Sequence, residues 1–283
     1  MLRKERTIGG GPMNSTLEPY IPEQIVDYFE SISNLTAKLL GRYLVYVDGR
    51  TIVIVGYPVS GEYKEEDIVK IVQGSLQERM ENIIVIAPKL PPSLRFEEVK
   101  IDNYYRLTLP IREMNKKLRY MVSRASRELT IEVDKKLTRS HKRIMMDFLK
   151  RPDVEKYMEY VCSRLDYYLS RSNTVRIINT FRRDGGLAGF NVIDLPPGDY
   201  SFYMFNFINR TGEYVPGVSD LLLYHFLRIS YDEGKRYVNM GLGINEGTKR
   251  FKIKWGATPF LPYQYGVVKQ AGIYKVFDIF SKL

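Results

Sequence analysis

Apolar residues follow two rhythms along this chain, one near four and one of two, and their order lays out the secondary structure. Residues 22–40 place Ile25, Phe29, Ile32, Leu35 and Leu39 at helical spacing. Leu44-Val45-Tyr46-Val47 and Thr51-Ile52-Val53-Ile54-Val55 then flank Asp48-Gly49. Asp-Gly between β-branched runs predicts a hairpin, because its tight turn requires positive φ. Residues 65–80 form the next helical pattern, with Ile68, Ile71, Val72 and Leu76 inward, and residues 82–87 read as a buried strand ended by Pro91-Pro92. Residues 104–109 alternate as a strand. A helix over 111–129 carries Met114, Leu118, Met121, Val122 and Ala125 as its apolar positions, and a strand over 130–133 follows.

The second half restates this order loosely, without residue-level repetition. Helices are expected over 140–149 and 153–169, separated at Arg151-Pro152. Three antiparallel strands follow over 174–181, 187–193 and 200–208, turned by Gly185-Gly186 and by Pro196-Pro197-Gly198-Asp199. Ser219-Asp220 is expected to cap a helix through Leu221, Leu222, Leu223, Phe226, Leu227 and Ile229, which Gly234 stops. Tyr237-Val238-Asn239-Met240 reads as a central strand; Gly241, Gly243 and Gly247 break the chain around Asn245. Lys249-Arg250-Phe251-Lys252-Ile253-Lys254-Trp255-Gly256 is a basic helix around two aromatics, followed by an aromatic strand to Tyr263. The fold class is α/β with a mixed (α+β) sheet, antiparallel hairpins feeding a parallel pair. The expected division is a flexible tail over 1–18, one unit over 19–138 and a second over 139–283.

Composition narrows the chemistry. The chain has 283 residues and a formal charge of +10, which favours anionic partners without choosing among nucleic acid, phosphorylated metabolites and acidic membranes. From Ile111 to Lys150 there are 12 Lys/Arg against 5 Asp/Glu, including Arg112, Lys116, Lys117, Arg119, Arg124 and Arg127. That stretch is either an anion-binding surface or a solvated helix face. One cysteine, Cys162, excludes an intramolecular disulfide, and its apolar context suits a buried structural thiol. With only His141 and His225, a multi-histidine metal site within one chain is excluded. No apolar run reaches the ~18 residues of a membrane span, and the first residues lack a secretory pattern, so a cytoplasmic location is expected.

Gly-x-Ser-x-Gly, Walker A and dinucleotide-binding patterns are absent. The loop Arg210-Thr211-Gly212-Glu213-Tyr214-Val215-Pro216-Gly217-Val218-Ser219 opens onto a helix, an arrangement that either leaves N–H groups free for phosphate or simply caps the helix. At this point the chain resembles the GNAT-like acyltransferase superfamily. It is most similar to the branch with Fem-type peptidoglycan aminoacyltransferases and phosphatidylglycerol lysyltransferase catalytic domains. The resemblance is carried by Leu221-Leu222-Leu223-Tyr224, Glu233 to Gly241 and Gly247 to Gly256, with the Phe-Lys-x-Lys-Trp-Gly element the most specific part, and by the basic helix from Asn115 to Leu129.

The resemblance implies two GNAT-like units side by side, the C-terminal one carrying the donor site. It implies transfer of an acyl or aminoacyl group from a phosphate-bearing donor, acyl-CoA or aminoacyl-tRNA, to an amine acceptor, with no tightly bound cofactor. Lys252 takes the place of the Fem-type lysine that stabilises the oxyanion. Arg210, Gly212, Gly217, Ser219, Arg250 and Lys254 are the expected donor or phosphate contacts. The sequence departs from the pattern in lacking a clean pyrophosphate loop and an obvious general base; Glu213, Asp199 and His225 are the loop and helix alternatives. The other reading is a catalytically inactive binding module of the same fold.

Overall fold

A computed structural model describes residues 17–268 apart from Arg112, Gly212 and Glu213. The expected tail thus lies outside the described residues except for Leu17 and Glu18, and Leu17 packs on the core. The elements run in chain order α1 (Val26–Ser33), β1 (Thr36–Leu40), β2 (Tyr43–Val47), β3 (Thr51–Val55), α2 (Glu65–Gln77), β4 (Asn82–Ala87), β5 (Phe96–Thr108), α3 (Lys116–Glu128) and β6 (Leu129–Asp134). Then follow α4 (Arg139–Leu149), α5 (Tyr157–Arg171), β7 (Val175–Arg182), β8 (Leu187–Asp194), β9 (Tyr200–Ile208), α6 (Val218–Asp232), β10 (Tyr237–Leu242), α7 (Glu246–Lys254) and β11 (Thr258–Val268).

All eleven strands form one sheet in the order β1-β2-β3-β4-β11-β5-β10-β9-β8-β7-β6. Among the described residues only β3/β4 and β9/β10 are parallel, each joined by a crossover helix, α2 or α6. The sheet order and strand directions relate β1-β2-β3-α2-β4-β5 to β7-β8-β9-α6-β10-β11 by a pseudo-twofold axis through the β5/β11 pair. The loose repeat in the sequence is therefore a real structural repeat. The halves also trade their last strands: β11 lies between β4 and β5, and β5 lies between β11 and β10. Tyr57 Oη donates to the Pro262 carbonyl at 2.5 Å, tying the exchanged β11 to the first half. Backbone pairing crosses residue 138 where β6 meets β7 and where β5 meets β10 and β11.

Two layers of helices cover the sheet. On one face, α2 packs over Tyr43, Val45, Ile52, Ile54, Ile83 and Val85, while α3, α6 and α7 pack over Tyr105, Leu107, Val238 and Met240. On the other face, α1 straddles the halves and meets α5; Val26 and Phe29 join the first half's core, and Ile25, Tyr28 and Ile32 join the second's.

Several local expectations shift. The pattern over 22–40 is a short 3-10 turn (Pro22–Gln24), then α1, then strand β1. Asn34 breaks the helix at φ 61, a left-handed conformation that asparagine tolerates, and the four-residue apolar spacing of Leu35 and Leu39 concealed the strand. The hairpin at Asp48-Gly49 exists, but Gly49 is not at positive φ: Asp48 Oδ1 accepts from the Arg50 and Thr51 N–H groups and closes a longer turn. Leu76 is exposed at the end of α2. Helix α6 begins earlier than Ser219-Asp220, with Gly217 as its N-cap.

Glu23 lies at the heart of the first half's core. It is 0% exposed among Tyr46, Tyr57, Tyr104 and Tyr263, and Tyr46 Oη donates to its backbone carbonyl at 2.7 Å. Burial raises the carboxyl from 4.5 to about 7. The folded chain thus holds a proton between pH 4.5 and 7 that the unfolded chain has released, so this group's contribution to stability falls as pH rises through that window. Denaturant unfolding should show a loss of roughly 3 kcal/mol across it. Glu23→Gln should flatten the slope; an unchanged slope in that variant would assign the titration elsewhere.

Candidate functional site

The two parallel pairs differ in a way that singles out one of them. Strands β3 and β4 are paired along all five residues of β3, from Thr51↔Asn82 to Val55↔Ile86, and Gly56 N donates to Ile86 O at 2.7 Å beyond them. A Cβ on Gly56 would sit 2.7 Å from that of Ala87, so this pair stays closed past its end. Strands β9 and β10 pair only at Tyr237↔Tyr200, Val238↔Ser201 and Asn239↔Phe202. Beyond that point β9 runs on to Ile208 against β8 alone, leaving its other edge open. Asn239 holds the fork: its Oδ1 accepts from Gly241 N at 2.7 Å, its Nδ2 donates to Tyr20 O at 2.8 Å, and Gly241 takes a φ of 72.

The start of α6 meets the open edge. Asn206 on β9 donates to Ser219 Oγ at 3.1 Å. Tyr203 stacks between Phe226 of α6 and Phe251 of α7. The Tyr203 hydroxyl, Asn206 Oδ1 and Asn191 Oδ1 are buried without a hydrogen-bond partner of normal geometry, and Asn191 sits opposite Asn206 on β8. Sequence reasoning passed over these three residues, whose signal was polar side chains inside otherwise apolar strands. The first turn of α2, the counterpart of α6, holds Glu65, Glu66 and Asp67, so carboxylates already occupy its positive end. Helix α6 has one acid there, Asp220, and it is neutralised locally.

Asp220 is 5% exposed. Its Oδ1 accepts from Trp255 Nε1 at 3.0 Å and lies 2.5 Å from Lys254 Nζ. The Lys-Trp pair of the Phe-Lys-x-Lys-Trp-Gly element thus clamps the end of α7 onto the start of α6. Gly256, at φ 88, ends α7; its N–H bonds Ile253 O and the Ala257 N–H bonds Lys252 O, the paired bonds of a glycine-terminated helix.

Lys252 lies one residue along from Phe251, yet it is 3% exposed. Its ammonium nitrogen donates to the Leu242 carbonyl at the end of β10 and lies 5.6 Å from the Tyr105 ring centre. Burial lowers it from 10.5 to about 7, against a smaller opposing pull from Asp102.

The other expected contacts separate. Ser219 and Gly217 stand at the open edge with Lys254 nearby through Asp220. Gly217 has a packing reason of its own: φ is 91, and a Cβ would meet the Met121 carbonyl of α3 at 2.7 Å. Arg210 and Arg250 are exposed. Gly212, together with Glu213 and Arg112, lies outside the described residues. Lys254 spends its charge on Asp220. The basic face of α3 is solvent-exposed and carries one ion pair, Arg124–Glu128, itself exposed. His225 is half-buried on α6 with its basicity lowered by burial and then by Arg228; His141 bridges Thr138 and Asn179. The Cys162 thiol is buried and pushed up to about 12, as a structural thiol should be. Among the described residues there is no cluster of metal-ligating side chains, and no helix is long and apolar enough to cross a membrane.

No protein-family model matches the chain, and no curated protein matches it in sequence. Solved structures do match. FemX aligns over 88% of this chain and 93% of its own with a TM-score of 0.61 at 10% identity. L-PGS from Bacillus licheniformis aligns over 87% of each chain with a TM-score of 0.56 at 13% identity. A tandem GNAT protein from the clavulanic acid biosynthesis pathway covers 92% of each chain with a TM-score of 0.53 at 12% identity. The chain has the GNAT-like, Fem-type fold, with two such units in tandem.

Proposed function

We propose that this chain transfers an acyl or aminoacyl group from a phosphate-bearing donor to an amine, using a single donor site in its C-terminal half. The observation that supports this most is the unequal opening of the two parallel pairs. The open edge of β9 offers unpaired backbone groups to an extended donor, and the start of α6 offers N–H groups and Ser219 to its phosphates. The closed β3/β4 pair and the acidic start of α2 offer neither.

Lys252 acts at the head of the donor. Its ammonium lies beside the end of β10, ready to exchange the Leu242 carbonyl for the oxyanion that forms when an amine attacks the donor carbonyl. The attacking nitrogen adds to the carbonyl carbon; collapse of the tetrahedral intermediate expels the donor's thiolate or alkoxide, and the proton lost by the amine leaves with that group. Arg250, exposed on α7, and Arg210, exposed after β9, supply further positive charge for the donor. A second reading, binding without turnover, is favoured by the same Leu242 contact, which leaves the amine already satisfied.

Calorimetric titration with acetyl-CoA and with aminoacyl-tRNA, at low and moderate salt, tests the donor site. One donor per chain is expected. A steep loss of affinity with salt identifies tRNA, and a shallow one acyl-CoA. Ser219→Phe, which fills the open edge, should weaken binding at least about tenfold. Two sites per chain, or no binding of either donor, would sink the proposal.

A further inference from the structure

We infer that a second ligand site, on the face of the sheet opposite α6, takes a small zwitterion with an oxyanion at one end and a protonated amine at the other. A cavity of about 310 Å³ lies between α4, the β7–β8 turn and the end of β9. Its lining includes Arg143, Arg182, Asp147, Ser140 and Thr211, over an apolar floor of Ile144 and Leu187. The volume suits a ligand at the small end of metabolite size.

The charges around the cavity differ in how far they are committed. Arg182 is held at 3.3 Å by Asp184, which also accepts from Gly186 N at 2.8 Å and shapes the turn. Among the described residues Arg143 has no carboxylate partner, and the Ser140 hydroxyl makes no hydrogen bond. A guanidinium without a carboxylate beside a free hydroxyl matches a phosphate or carboxylate, whose oxygens accept from both. Asp147 lines the same cavity and contacts Lys150 at 2.9 Å through one oxygen, leaving the other for an incoming donor. A bare dianion would meet repulsion from Asp147, whereas a zwitterion turns that carboxylate into a contact. The wall at β9 is pre-formed: Asn209 bonds the Leu187 and Ala188 carbonyls at 3.1 and 2.9 Å, and its Oδ1 accepts from Thr211.

The test is titration calorimetry of the full chain with O-phosphoethanolamine, β-alanine and inorganic phosphate. The first two carry an amine with a phosphate or a carboxylate, so the pair separates the two oxyanions. At least one should bind saturably and about tenfold more tightly than inorganic phosphate. Arg143→Gln, an exposed substitution, should weaken that binding tenfold or more, and Asp147→Asn should remove the preference over inorganic phosphate. Circular dichroism confirms that both variants fold. The inference is overturned if neither amine-bearing probe saturates, if inorganic phosphate binds as well as they do, or if Arg143→Gln changes nothing.

Discussion

Lys252→Met is expected to make the protein more stable at pH 7 and to lower transfer at least about a hundredfold. The stability half follows from burial. With a folded value of about 7 against 10.5 unfolded, the unfolded chain binds a proton that the folded chain does not between those two values, so stability rises with pH across that window. At pH 7 the penalty for burying this amine is on the order of 5 kcal/mol. Methionine fills similar space without it, but leaves the Leu242 carbonyl unsatisfied, which costs about 1–3 kcal/mol. The net gain is therefore roughly 2–4 kcal/mol, visible as a higher denaturant midpoint. The activity half follows from charge: only the ammonium stabilises an oxyanion, so turnover by the parent protein should fall as pH rises through about 7. A folded Lys252→Met chain that transfers at the parent rate removes the proposed role. A less stable one shows that the contact to Leu242 outweighs the burial penalty. Stability gained where activity is lost is what a buried group kept for chemistry produces.

Asp220→Ala should destabilise the fold strongly. It leaves the Trp255 indole N–H buried and unpaired and removes the ion pair to the exposed Lys254 ammonium, which water screens, at a cost of about 2–4 kcal/mol. For a chain of this size that lowers Tm by on the order of 10 °C. Trp255 is the one tryptophan, so its fluorescence reports directly on the α6–α7 clamp, and a red shift well below the global transition is expected. Asp220→Asn keeps an acceptor for the indole and loses only the ion pair, so it should fall between the parent and the alanine variant. An alanine variant within about 1 kcal/mol of the parent would show that the apolar contacts of Trp255 alone hold α7 in place.

Apart from β1, hidden in the helical spacing of residues 22–40, the elements and their order were legible in the chain before any tertiary contact was known. Helical spacing marked α2 and α6, short and largely apolar runs marked β4 and β10, and glycines marked ends such as Gly234, because these depend on neighbours a few residues away. The residues also carried the resemblance to the Fem-type fold and drew attention to Lys252. Three further features emerged only with the folded sheet: β5 and β11 change places, β9 and β10 part after Asn239 while β3 and β4 stay closed, and Lys254 answers to Asp220. Strand partners far apart in the chain are chosen by backbone hydrogen bonding and burial over the whole sheet, which no local pattern encodes. The same holds for Lys252, which lies in the chain between Phe251 and Ile253 within a run of cations and whose neighbours in space are the Leu242 carbonyl and the Tyr105 ring. Its lowered basicity comes from that enclosure, which no run of residues around it could have announced.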